Sequence, residues 1–126
     1  MSKGEEHEIA FMQAFVEKHR QERYLELRVE NRKKWLDRLN HMLTNELRSD
    51  FIVSEEMAQR MLAEQDVTHA WLFADASDAD MAESPLDAAL QEINRASFGI
   101  VGSFIPGRLA CFRPEAPSGS ILLYRQ

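Results

Sequence analysis

Between Glu5 and Leu47 the chain has neither proline nor glycine, and its apolar residues recur at helical spacing. Ile9, Met12, Val16 and His19 form one stripe. Leu25, Val29, Leu36, Leu39, Leu43 and Leu47 form a second, with Arg32 on the missing turn. One unbroken helix over this stretch would be about 65 Å long at 1.5 Å per residue. A compact chain of this length has a radius of gyration of about 14 Å, so such a rod would project far beyond its own core. The helix therefore breaks or packs on another chain. The weakest stretch is Val29–Asn31, where a β-branched residue meets an asparagine suited to an N-cap. The spacing favours two helices, roughly residues 5–29 and 32–47. The change of stripe near Arg20 to Arg23 marks the alternative, one long kinked helix.

After residue 48 the pattern changes. Ser54 followed by Glu55 and Glu56 is a helix start, because serine caps the free backbone donors and carboxylates suit the positive end of the helix dipole. Met57, Met61 and Leu62 would supply the buried face of a helix ending near Glu64. Residues 68–74, THAWLFA, favour a strand. Ser84 and Pro85, as cap and first helical residue, start another helix through Leu86, Leu90 and Ile93 to about Arg95. The apolar run from Phe98 to Ile105 stops at Pro106-Gly107, a turn in which proline presets φ and glycine accepts a positive φ. Residues 109–113 return as its partner strand, and residues 121–124 close the sheet. The expected fold class is α+β: N-terminal helices and two shorter helices, gathered on one face of a small antiparallel sheet of about four strands. The length of 126 residues suits one domain, 1–126, with a helical part over 1–48 and a mixed part over 49–126.

Charge is unevenly spread. The net charge is −6, yet residues 18–38 are rich in Lys and Arg, while residues 50–92 set a long series of acids against Arg60 alone. Such asymmetry marks a partner surface, or two halves that attract each other within one fold; the second is favoured here. A hydrophobic fraction of 44% with 29% charged residues is ordinary for a folded chain and excludes wholesale disorder. Cys111 is the only cysteine, so a disulfide-stapled secreted scaffold is excluded. The opening MSKGEEHEIA lacks the apolar core of a secretory signal, and no stretch reaches the 18 apolar residues of a membrane span. A cytoplasmic location without membrane partners is the expectation.

No catalytic, cofactor or metal constellation emerges. Asp75, Asp78, Asp80 and Glu83 cluster, but the third EF-hand ligand and its glycine are missing, so they read as a solvated acidic loop. None of the four histidines forms a metal-binding pair, and His19 reads as a core or boundary residue on its stripe. Cys111, between Ala110 and Phe112 in a strand, reads as an inert core thiol. Gly99 and Gly102 let a ligand or a large neighbour such as Trp71 come close. With Ser103, Arg108 and Cys111 they mark the place to look for a small-molecule pocket between sheet and helices. Arg28, Arg32, Lys33 and Lys34 are the best case for a nucleic-acid surface, weakened by the acids interleaved with them. Phe11, Met12 and Phe15 make the first helix apolar over a wide arc, more than a short sheet needs.

The leading functional expectation is therefore a non-enzymatic interaction or regulatory protein that self-associates through its N-terminal helices. Phe11, Met12, Phe15 and the basic residues 28–34 would form its surface. The alternative is a small-molecule-binding domain or enzyme with a pocket near the C-terminal sheet. Nucleic-acid binding through residues 28–38 comes third.

Overall fold

The computed structural model describes residues 1–41, 43–75, 80–114 and 119–126. Among the described residues its first half forms four helical segments rather than two. They are α1 (Lys3–Phe15), α2 (Lys18–Glu30), α3 (Arg32–His41) and the single turn α4 (Leu43–Glu46). α1 begins with a reciprocal capping box: Ser2 Oγ accepts from the Glu5 backbone N–H while the Glu5 carboxylate accepts from the Ser2 N–H. The break at Asn31 falls where the sequence is weakest, and Asn31 Oδ1 caps α3 by accepting from Lys34 N at 3.2 Å.

The break at Val16 and Glu17 has no such local signal. Val16 is fully buried and forms an isolated antiparallel bridge with Leu47. Glu17 N donates to Glu46 O at 2.8 Å, and Arg48 N donates to Phe15 O at 2.7 Å. Long-range backbone bonds thus replace helical ones, which satisfies the polar groups a helix end leaves open. The break also rephases the stripe: His19, expected in the core or at its boundary, is exposed.

A 3-10 turn (Ser49–Phe51) leads into β1 (Ile52–Val53), α5 (Glu55–Glu64), β2 (His69–Ala74), β3 (Ala82–Pro85), α6 (Leu86–Arg95), β4 (Ile100–Ile105), β5 (Leu109–Arg113) and β6 (Ile121–Tyr124). Among the described residues the sheet has six antiparallel strands in the order β1-β6-β5-β4-β2-β3, two more than the sequence suggests. The two additions are the edge strands. β1 is only two residues long, and β3 reads AESP, with neither the alternation nor the composition of a strand. Pro85 therefore ends β3 at the cap position of α6 and is not its first residue, and Leu86 N donates to Thr68 O at 2.9 Å. Ser54 caps α5 as expected, accepting from Met57 N at 3.1 Å. Gly107 adopts φ +70 in the β4–β5 turn, closed by Arg108 N to Ile105 O at 3.0 Å.

Helices cover both faces of the sheet, not one. Trp71, Phe73, Val101, Ala110, Phe112 and Leu123 pack beneath α1–α4 with Phe11, Met12, Phe15, Tyr24, Leu27 and Trp35. The alternate positions Leu72, Ile100, Leu109 and Cys111 pack with Ala58 of α5 and with Ala89 and Ile93 of α6. The continuous apolar runs of β4 and β5 already have the form of strands buried on both sides. Gly102 permits the second layer, because a Cβ there would lie 2.6 Å from Ile93 Cδ1. The close neighbour is thus a helix side chain on α6, rather than Trp71 or a ligand. Among the described residues, no helix is long and apolar enough to cross a membrane.

Candidate ligand-binding clefts

The two faces carry different kinds of site. On the first, polar chemistry is spent on structure. Glu8 lies on the buried side of α1 and is wholly inaccessible. Its carboxylate accepts from Arg28 Nε at 2.8 Å, from both terminal nitrogens of Arg32 at 2.9 and 2.8 Å, and from Trp35 Nε1 at 3.1 Å. Arg32 reaches on to Asp80, with Nε to Oδ2 at 2.6 Å. Burial disfavours the Arg32 charge, but the hydrogen bonds it donates to Asp80 and Glu8 outweigh this and raise its pKa. The Arg32–Asp80 pair joins the basic part of the chain to the acidic part, the attraction between halves that the charge pattern favours. Arg28 and Arg32 are accordingly occupied by carboxylates, while Lys33 and Lys34 are exposed. Of the acidic loop, Asp78 lies outside the described residues, Asp80 belongs to this network, and Glu83 stands on β3. A second buried carboxylate, Glu46, accepts from the Tyr24 hydroxyl.

Phe11, Met12 and Phe15, expected on an interaction surface, are 1%, 0% and 0% exposed. The four-helix layer and the sheet use the whole apolar arc of α1, so these three are core residues. The excess was overestimated because the sheet is wider and α2 and α3 fold back onto α1.

On the other face, α5, α6 and the sheet enclose a cleft of about 380 Å³. Ala58, Leu62, Leu90, Ile93, Phe104, Cys111 and Leu122 make its apolar wall, and Glu55, Gln59, Asn94, Arg113 and Ser120 are its polar lining. Burial pushes the Cys111 thiol up to about 11, with a hydrogen bond from Ser120 acting the other way, so at neutral pH it is a thiol and a weak nucleophile. Arg113 forms no ion pair among the described residues.

The five pocket residues suggested by sequence are not brought together. Cys111 lines this cleft, and Gly102 lies beneath Ile93 on the same face. Ser103 points through the opposite face, where its hydroxyl meets His7 Nδ1 at 2.7 Å. Arg108 is exposed at the turn and Gly99 is buried ahead of β4, and neither lines this cleft. The period of two along a strand separates neighbours such as Gly102 and Ser103 onto opposite faces. His7 is the residue that sequence reasoning missed. Its signal was its place one position before Glu8 and four before Phe11, on the flank of the buried arc of α1.

A second, polar cleft of about 320 Å³ opens beside His7, lined by Lys3, His7, Thr68, His69, Trp71 and Glu83 with Val67, Ile105 and Pro106. Burial lowers the His7 pKa, opposed by the nearby Glu6 and Glu83 charges and assisted by Lys3. No three His, Cys, Asp or Glu side chains among the described residues are placed to hold a metal ion. Compared with family models, curated proteins and solved structures, the chain gives no match.

Proposed function

We propose that this protein is a small-molecule-binding domain whose ligand occupies the cleft between α5, α6 and the sheet. The observation that carries the reading is the cleft itself: about 380 Å³, apolar along its wall, with a few polar groups and the Arg113 guanidinium in its lining. That is the size and make-up of sites that take compact organic ligands. The ligand would have an apolar body for Leu62, Leu90 and Phe104 and a polar end for Asn94, Arg113 or Ser120. Binding rather than catalysis fits the suppressed thiolate of Cys111. Self-association through α1 loses its motivating feature with Phe11, Met12 and Phe15 in the core. Nucleic-acid binding is likewise weakened by the carboxylates on Arg28 and Arg32. A cytoplasmic location belongs to the same proposal, supported by a lone cysteine held as a buried thiol.

The test is a thermal-shift screen of compact apolar carboxylates, amides and alcohols, repeated on Leu90→Trp, which fills the cleft. A ligand at a hundred times its Kd should stabilise the native chain by about 2.7 kcal/mol. That stabilisation should be lost in Leu90→Trp. If no class shifts the melting temperature, or if the variant responds as the wild type does, the reading is wrong.

A further inference from the structure

The polar cleft has features that the proposed apolar site does not explain. The His7 side chain belongs to a residue only 9% exposed, and its one hydrogen bond among the described residues, through Nδ1, is to Ser103 Oγ at 2.7 Å. No fully buried side-chain nitrogen or oxygen there lacks a partner, so Nε2 is the part of the ring that reaches the cleft. A nearly buried polar atom directed into a cleft without a protein partner is costly unless water or a ligand completes it.

The surroundings define what would complete it. Ser103 pairs across strands with Trp71, and Trp71 pairs with Glu83, so all three share the face beneath α1. Lys3 lies one helical turn before His7 on α1. His69, whose Nδ1 meets Thr68 Oγ1 at 3.0 Å, also lines the cleft. Neither Lys3 nor Glu83 has an ion-pair partner among the described residues, although both line the same cleft. A cation and an anion without ion-pair partners among the described residues, lining one cleft with a hydrogen-bonding imidazole, match a ligand that carries both charges. Either charge alone in the ligand would leave one wall opposed to it. Of the rest of the lining, Val67, Trp71, Phe104, Ile105 and Pro106 are apolar or aromatic, and Gln65 is polar.

We propose that this cleft binds a zwitterion of the α-amino-acid type with an apolar side chain. Its carboxylate lies toward Lys3 and its ammonium toward Glu83. Ser103 donates to His7 Nδ1, which places the ring proton on Nε2, and Nε2–H donates to the ligand carboxylate. Ser103 acts as a positioning residue that orients the ring. The site is centred on His7 and Ser103, beneath α1, while the α5–α6 cleft opens on the other side, and Phe104 lines both.

The experiment is a titration of the full chain with L-leucine, read by calorimetry and by the imidazole nitrogen resonances of His7. Isovalerate, isopentylamine and glucose supply the carboxylate, the amine and a neutral polyol separately. Leucine should bind and shift the His7 ring signals. Isovalerate and isopentylamine should each bind about tenfold or more weakly, the loss expected for one charge-assisted contact. Glu83→Gln should weaken leucine by about tenfold and leave isovalerate unchanged; Lys3→Gln should weaken leucine and leave isopentylamine unchanged. Both residues are exposed, so neither variant threatens the fold. Isovalerate binding as tightly as leucine would make this an anion site and overturn the proposal. A response to glucose alone, or His7 signals indifferent to leucine, would overturn it as well.

Discussion

Replacing Glu8 by glutamine removes one charge and almost no volume, from a place where the charge has four partners. The carboxylate accepts from Arg28 Nε, from two Arg32 nitrogens and from Trp35 Nε1. The amide keeps one acceptor oxygen and turns an NH₂ group toward donors, so about two of those bonds are lost. Hydrogen bonds to charged groups contribute about 1.5–3 kcal/mol each, which gives about 3–6 kcal/mol before relaxation. Arg32 keeps Asp80 and is 29% exposed, which reduces the loss. Arg28, at 10% exposure, loses the facing charge and keeps the half-exposed Glu5 at 3.4 Å as its ion-pair partner among the described residues, so its charge is poorly compensated. The expected cost is about 3–5 kcal/mol, that of breaking a buried pair from one side. Stabilities of small domains are only about 5–15 kcal/mol, so a large share of the margin is at stake. Urea unfolding followed by tryptophan fluorescence measures it. With a slope of about 2 kcal/mol per molar urea, the midpoint should fall by about 2 M. Glu26→Gln, at an exposed pair with Arg23, is the control and should change stability by less than about 0.5 kcal/mol. A loss below about 1 kcal/mol for Glu8→Gln would refute the reasoning, as would a loss that disappears in about 1 M salt, since only exposed pairs are screened that way.

The His7 pKa is lowered on folding, chiefly by burial, so the unfolded chain binds this proton more readily. Its contribution to stability should be complete above about pH 6.5 and decline as pH falls below that value toward the folded pKa. Denaturant melts across this window should show the decline in the wild type and a shallower one in His7→Gln; equal slopes would remove His7 as the cause. Gly102→Ala places a Cβ 2.6 Å from Ile93 Cδ1 and should cost about 1–3 kcal/mol by overpacking. Adding Ile93→Val, which deletes the clashing methyl, should recover part of that loss, and strict additivity in the double variant would count against the clash. Cys111, pushed up to about 11, should react with a disulfide reagent at pH 8 at least about 100-fold more slowly than an unperturbed thiol and at the ordinary rate in urea. A fast native reaction would show an accessible thiolate instead.

The sequence by itself determined the elements whose signals are local. Ser54 caps α5, Asn31 starts α3, and Pro106-Gly107 closes β4 onto β5, because each depends on one residue's own backbone and side-chain chemistry. The strands β2, β4, β5 and β6 were legible from composition, as was the mixed helix-and-sheet class. What only the tertiary structure decided involved partners distant in sequence. The chain turns at Val16 without a breaker because Leu47 and Glu46 arrive to take over its backbone bonds. β3 becomes a strand despite its composition because β2 offers it an edge. The candidate sites follow the same division. Cys111 was visible as a strand residue and Ser103 as a hydroxyl beside two glycines, but the period of two sends them to opposite faces, one into the apolar cleft and the other to His7. His7 and Ser103 are 96 positions apart, and no local pattern around either one points to the other. Only the stacking of α1 on β4 brings them together, since a hydrogen bond between two such side chains depends on packing and leaves no periodic trace in sequence.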